Sequence, residues 1–182
     1  SLHDALPIYH KNTLVLIPGW AMDCSIFNNL DLPFNYILIN NFNPSSFAID
    51  LNNYLKRKNI SKISLLGFSL GGFLALDYAK EYSATCNTLY LFGIRKAYPN
   101  TNIKLITKFL LKNKNAYLFS FYKKCFHTNS ELTSFRPLLS KYLSLFSTEY
   151  LIETLNHFKV FQIESFPSIA NINIFHGIHD QI

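Results

Sequence analysis

A single serine between glycines is the part of this sequence best suited to covalent chemistry. Gly67-Phe68-Ser69-Leu70-Gly71 has the spacing G-x-S-x-G. It follows an apolar run typical of a buried strand and precedes a run with helical periodicity. Glycine allows the close backbone approach of so tight a turn. Ser69 would then project at a helix N-terminus, where amides favour negative charge. The pattern predicts a nucleophile elbow; a glycine-rich turn with a capping serine is the alternative.

Short apolar strands alternate with helices around this turn. The predicted strands are Thr13–Ile17, Tyr36–Ile39, Lys62–Leu66 and Thr88–Phe92. Helices are predicted over Ser46–Asn59 and Leu70–Glu81, with a brief helix through Leu30 capped by Asp23 or Ser25. This alternation predicts an α/β fold with a mainly parallel sheet that is covered by helices on both faces.

The periodicity changes after Gly93. From about Asn100 to Phe161 the spacing is helical, with one apolar stripe at 103, 106 and 110 and another at 119, 122 and 126. The next predicted strand is Ile172–Phe175. We therefore expect an α/β core from residues 9–94 and 171–182, with residues 95–170 as a helical cap over the carboxyl edge of the sheet.

Composition narrows the class of protein further. The chain has 182 residues, 49% of them hydrophobic, which suits one core. Its three cysteines are scattered and predict neither a disulfide framework nor a zinc site. No apolar run is long enough to cross a bilayer, so a cytoplasmic protein is expected. Residues 1–8 match the in-frame translation of a common sequencing adapter and are predicted to be a non-native segment.

The sequence around Ser69 resembles the α/β-hydrolase family, and the likeness covers nearly the whole chain after residue 12. Leu16-Ile17-Pro18-Gly19-Trp20 is similar to the turn that supplies half of that family's oxyanion hole. By this resemblance the hole is formed by the amides of Trp20 and Leu70. Pro18 stands where the family usually has histidine, but an amide does the binding. A plain Pro-Gly turn is the alternative.

The resemblance also implies a catalytic acid near the end of the chain. Ile174-Phe175-His176-Gly177-Ile178-His179-Asp180 is similar to the family's late strand and acid, which makes Asp180 the candidate; a solvated turn aspartate is the alternative. The family order is Ser, Asp, His, yet no histidine follows Asp180, and none of the six histidines suits the role. We therefore expect a chain truncated before the catalytic histidine, without the last strand and helix, and nearly inactive.

Within the family, the sequence looks most like the pimeloyl-[acyl-carrier protein] methyl ester esterases of biotin synthesis. That likeness implies a serine carboxylesterase with no metal or organic cofactor, acting on an acyl ester. Between Arg95 and Lys159 the chain has 11 Lys or Arg against three Glu, which could steer an acidic acyl-carrier protein or be a solvated basic face. The alternatives are an acyl thioesterase, another α/β-hydrolase, or a non-catalytic hydrolase-like binding protein. No nucleic-acid-binding motif appears.

Overall fold

A computed structural model describes residues 2–3 and 12–178 of the protein. Within these ranges the strands are β1 (Leu2–His3), β2 (Thr13–Ile17), β3 (Asn35–Ile39), β4 (Ile63–Phe68), β5 (Cys86–Phe92) and β6 (Asn171–Phe175). They form one sheet in the order β1-β3-β2-β4-β5-β6. Strands β2 to β6 run parallel, and β1 pairs antiparallel with β3. The predicted α/β fold with a mainly parallel sheet is confirmed.

Helices connect and follow these strands. They are α1 (Phe47–Arg57), α2 (Leu70–Glu81), α3 (Asn100–Lys124), α4 (Asn129–Leu145) and α5 (Thr148–His157). The brief helix predicted to reach Leu30 is a 3-10 turn over Cys24–Phe27, and its cap is Asp23, whose side chain accepts a hydrogen bond from the Ser25 N–H. Across the described part of the chain, no helix has the length and apolar character that crossing a bilayer requires.

The central strands carry the core. Leu14–Ile17 of β2 are all at most 1% exposed, which requires cover on both faces of the strand. The prediction ended β4 at Leu66, but its pairing with β5 continues through Gly67 and Phe68, so the first glycine of the motif belongs to the strand. Strand β6 differs from its neighbours, because Ile174 and Phe175 are about half exposed.

The described residues cluster into two compact units. One contains the sheet with α1 and α2; the other, Ala97–Gln162, contains α3, α4 and α5. The core of the second unit is aromatic: Tyr122 and Tyr142 are fully buried, and both rings lie about 6 Å from the ring of Phe135. The first predicted apolar stripe holds for Ile103 and Leu110, which are buried. The second holds for Tyr122, which is buried, but fails for Phe119, which is 48% exposed.

A kink divides α3 at Asn113. The backbone of Asn113 is extended (φ −163°, ψ 93°), and its side-chain oxygen accepts a hydrogen bond from the Ala116 N–H (3.0 Å). Asn113 therefore caps a second helical segment, 114–124, after a first segment, 100–112. Next to the kink, the Lys114 Nζ donates to the Phe146 carbonyl at the end of α4 (2.7 Å). The kink is thus held by both a cap and a contact between helices.

Loss of this cap is expected to destabilise the protein. Asn113→Ala should lower the free energy of unfolding by about 1 kcal/mol, because the first amides of the second segment lose their acceptor. Urea unfolding measures the change. Asn115→Ala is the matched control: Asn115 is exposed on the same helix, and alanine there improves helix propensity by a few tenths of a kcal/mol. Equal stability of the two variants would contradict the capping role.

Candidate active site

The turn from β4 to α2 contains glycines at positions that leave no room for a side chain. A Cβ on Gly67 would lie 2.6 Å from both the carbonyl carbon of Gly71 and the Cα of Gly72. A Cβ on Gly71 would lie 2.6 Å from the carbonyl oxygen of Pro18, just after β2. Real Cβ atoms do not approach backbone atoms so closely. Strand and helix can therefore meet here only with glycine at both positions.

Ser69, between these glycines, has a backbone conformation that favours glycine. Its φ is 52° and its ψ is −116°, outside the left-handed helical region that other residues occasionally visit. The Ser69 N–H donates to the Phe92 carbonyl (2.8 Å), and the Gly72 N–H donates to the Ser69 carbonyl (2.8 Å). Strand β5 on one side and helix α2 on the other thus hold the strained conformation in place.

The Ser69 side chain does not serve as a helix cap. Ser69 occupies the N-cap position of α2, yet its side chain makes no capping hydrogen bond. The residue is partly exposed rather than buried. The alternative of a merely capping serine therefore has no support in the hydrogen bonding. A hydroxyl in this position stands beside the first amides of α2, where negative charge is stabilised.

Trp20 lies in a tight turn that follows β2. The Met22 N–H donates to the Gly19 carbonyl (3.3 Å), which closes the turn, and Ala21 has a φ of 59°. A positive φ at the third position is the mark of a type II turn. Trp20 is 5% exposed, so its large side chain anchors the turn in the core of the first unit. The backbone of the turn is therefore held in one conformation, which an amide that binds an anion requires.

This turn packs against both sides of Ser69. A Cβ on Gly19 would lie 2.9 Å from the ring of Phe68, the residue before Ser69, while Gly71, two residues after it, abuts Pro18. Leu70 lies between these two contacts and begins α2, so its N–H is one of the first-turn amides without an acceptor inside the helix. The structure thus brings the segments of Trp20 and Leu70 together beside Ser69.

The end of β6 reaches the same edge of the sheet. The Gly93 N–H donates to the Phe175 carbonyl (3.0 Å), and the rings of Phe92 and Phe175 stack with centroids 4.5 Å apart. The Phe92 carbonyl, at the end of β5, also accepts the Ser69 N–H. Strand β6 lies beside β5 in the sheet, so the chain leaves β6 one strand away from the residue that anchors Ser69. Asp180 lies five residues after Phe175, outside the described residues, so its role stays a prediction.

Phe92 is a site residue that sequence reasoning missed. It was recognised only as the end of a strand, yet its carbonyl holds Ser69 and its ring contacts Phe175. Ile94 was missed as well: a Cβ on Gly72 would collide with its Cγ2 methyl, so Ile94 backs the first turn of α2. No sequence pattern marks such contacts, because they join residues on different elements. The only signal in the sequence is an aromatic residue at the end of the strand that follows the serine motif.

Among the other reactive groups of the sheet, Cys86 is a poor candidate for the nucleophile. Burial raises the pKa of the Cys86 thiol, at the start of β5, to about 11, so it stays protonated at neutral pH and is no rival nucleophile. His176 is exposed just after β6. His127 and His157 lie in the other unit. Among the described residues, no three His, Cys, Asp or Glu side chains are grouped so that they could hold a metal ion.

No protein-family model and no curated protein matches the chain, whereas solved structures do. An esterase from Exiguobacterium antarcticum has a TM-score of 0.81 at 16% identity, over 100% of this chain and 82% of that one. The enol-lactonase from Burkholderia xenovorans LB400 has 0.74 at 11%, over 97% and 88%. MGS-M2, an alpha/beta hydrolase enzyme from a Medee basin deep-sea metagenome library, has 0.68 at 12%, over 97% and 84%. The protein has the α/β-hydrolase fold.

Backbone strain at Ser69 predicts that glycine there is stabilising. Ser69→Gly should raise the free energy of unfolding by about 1 kcal/mol, since relief of the strain exceeds the extra entropy of glycine in the unfolded chain. Ser69→Ala is the matched control, because it removes the hydroxyl but keeps the strained Cβ. Urea denaturation of both variants measures the effect. A Ser69→Gly protein less stable than Ser69→Ala would mean that the conformation is not strained.

The close contact at Gly71 predicts a large penalty for a methyl group. Gly71→Ala should lower the free energy of unfolding by about 3 kcal/mol, because its Cβ meets backbone atoms that cannot rotate away. Gly72→Ala is the comparison, since its Cβ meets only a side-chain methyl of Ile94. We expect a smaller loss there, measured by thermal and urea unfolding. A larger loss for Gly72→Ala would refute this account of the turn.

Proposed function

We propose that the protein is a serine hydrolase that cleaves a carboxylic ester, with Ser69 as the nucleophile. The observation that carries the proposal is the backbone of Ser69, which two hydrogen bonds hold at φ 52° between glycines that no other residue could replace. Strain of this kind is retained where it serves a function. Here it presents a hydroxyl at the carboxyl edge of a parallel sheet, where ligands meet such folds.

The proposed reaction has two halves. The Ser69 Oγ attacks the carbonyl carbon of the ester while its proton passes to a general base, and the tetrahedral oxyanion accepts hydrogen bonds from the amides of Trp20 and Leu70. The bond to the alcohol then breaks, the alcohol takes the proton from the base, and an acyl-enzyme remains. Water, deprotonated by the same base, attacks the acyl carbon and releases the acid and Ser69.

The general base of this proposal is a histidine outside β4, α2 and β5, the elements around Ser69, which contain none. The support is the resemblance to the family, in which a histidine follows the acid. Asp180 would accept a hydrogen bond from the imidazole and stabilise its protonated form. His176, at the same sheet edge, is the alternative within the described residues.

The substrate class follows from the same site. An ester carbonyl needs a nucleophile and an oxyanion hole but no metal. Within that class, an acyl ester of the pimeloyl-carrier type, cytoplasmic location and an acidic carrier protein stay predictions. Their support is the stretch Pro18-Gly19-Trp20 beside the serine motif and the basic second unit. A thioesterase would share every residue named here, so oxygen and sulfur esters of one acyl chain distinguish the two enzymes.

A fluorophosphonate probe tests the nucleophile. On the intact protein we expect one labelled site, Ser69, because only an activated serine attacks phosphorus at a useful rate. Ser69→Ala should abolish the labelling. Ser120→Ala is the matched control: Ser120 is an exposed serine of α3, and its loss should leave labelling unchanged. Mass spectrometry of the labelled peptide gives the site.

His176→Ala tests the base. If the His176 imidazole takes the proton of Ser69, the variant should hydrolyse p-nitrophenyl acetate more slowly than the unaltered protein by on the order of 10⁴-fold. Unchanged activity would exclude His176 as the base. A folded protein whose Ser69 is never labelled would favour a hydrolase-like binding protein.

A further inference from the structure

The first segment of α3, residues 100–112, presents apolar and basic side chains together on its exposed face. Ile103 and Leu110 are buried on the inner side of the segment. On the outer side of the segment, Leu105 is 52% exposed and Leu111 is 69% exposed. Neither belongs to a sequence motif that suggests a function. Single exposed leucines are common on protein surfaces, so what matters here is their position beside the charged residues of the same face.

Three lysines form a stripe along this face. Lys104, Lys108 and Lys112 are all exposed and are spaced four residues apart, so they lie one above the other along the helix. At 100° per residue, Leu105 falls on one side of the stripe and Leu111 on the other. The exposed face is thus a basic stripe about 12 Å long at 1.5 Å per residue, with Leu111 on one flank and Leu105 and the 44% exposed Phe109 on the other.

Nothing in the neighbouring sequence neutralises this stripe. The 49 residues 82–130 contain eight Lys or Arg and no Asp or Glu. The local charge of the segment is therefore positive throughout, which favours an anionic partner. The partner must also accept the two leucines, since they flank the lysines on both sides.

We propose that the first segment of α3, residues 100–112, docks on the anionic lipid surface of a membrane. The lysine ammonium groups would reach lipid phosphates and carboxylates while their alkyl stems lie along the headgroup region, and Leu105 and Leu111 would enter the acyl boundary. A fluid, planar surface can meet a single convex helix on both flanks at once. An acidic protein would need carboxylates between two apolar pockets at this one spacing. The proposal goes beyond ester hydrolysis and does not depend on it.

Vesicle sedimentation with the intact protein tests the proposal. We expect binding to vesicles of phosphatidylcholine with about one third phosphatidylserine and little binding to pure phosphatidylcholine. Added salt should weaken the binding. Lys104→Gln, Lys108→Gln and Lys112→Gln together should reduce partitioning by on the order of 100-fold, because each lysine near such a surface contributes roughly fivefold. Leu105→Ser with Leu111→Ser should also reduce it, without a change in circular dichroism.

Matched variants separate this surface from net charge. Lys56→Gln, Arg57→Gln and Lys80→Gln remove the same charge from exposed positions on α1 and α2 and should leave partitioning within a few-fold. Ile49→Ser, at a residue 52% exposed on α1, is the control for the leucines. An equal loss with the control triple variant would overturn the proposal. So would absence of vesicle binding, and binding of poly-glutamate through the same lysines would then identify an acidic polypeptide as the partner.

Discussion

The close approach of the α2 backbone to the ends of β2 and β4 is the constraint on which the rest of the first unit depends. Gly67 and Gly71 meet with no space for a Cβ, and Gly71 in turn abuts the carbonyl of Pro18. Three elements are therefore fixed against one another by main-chain contacts alone. Side-chain packing tolerates small shifts, but contacts between backbones do not, so the residues between these glycines have little choice of position.

This constraint joins geometry to electrostatics. The same contacts that force Ser69 into its strained conformation bring the first turn of α2 beside the turn that carries Trp20. In the proposed mechanism, the amides of Trp20 and Leu70 then need no reorganisation to hold the oxyanion. The buried ring of Trp20 and the carbonyl of Phe92 act as anchors on either side. The site is thus preorganised by the fold rather than by a network of polar side chains.

Much of this architecture could be predicted from the sequence, because its signals are local. Strand β2 and helix α2 have the predicted bounds, since continuous apolar runs and glycine punctuation mark them clearly. Where prediction failed, the cause lies in strand pairing between distant residues or in a side-chain hydrogen bond that the residue type alone does not reveal. Gly67 belongs to β4 because β5 continues to pair with it. Asn113 interrupts α3 because its side chain caps a new segment, a role that asparagine takes only in some contexts. Phe119 has core spacing but half of its surface is exposed.

The distribution of aromatic residues has a spectroscopic consequence. Trp20 is the chain's single tryptophan and belongs to the first unit, whereas the second unit is built around tyrosine and phenylalanine rings. Indole emission excited at the red edge of its absorption therefore reports on the turn beside Ser69 and on nothing else. Tyrosines occur in both units, with Tyr54 and Tyr78 buried in the first and Tyr122 and Tyr142 in the second, so their dichroism reports on the whole molecule. Comparing indole emission with the tyrosine signals can therefore show whether the turn beside Ser69 loses structure before the rest, without an added dye.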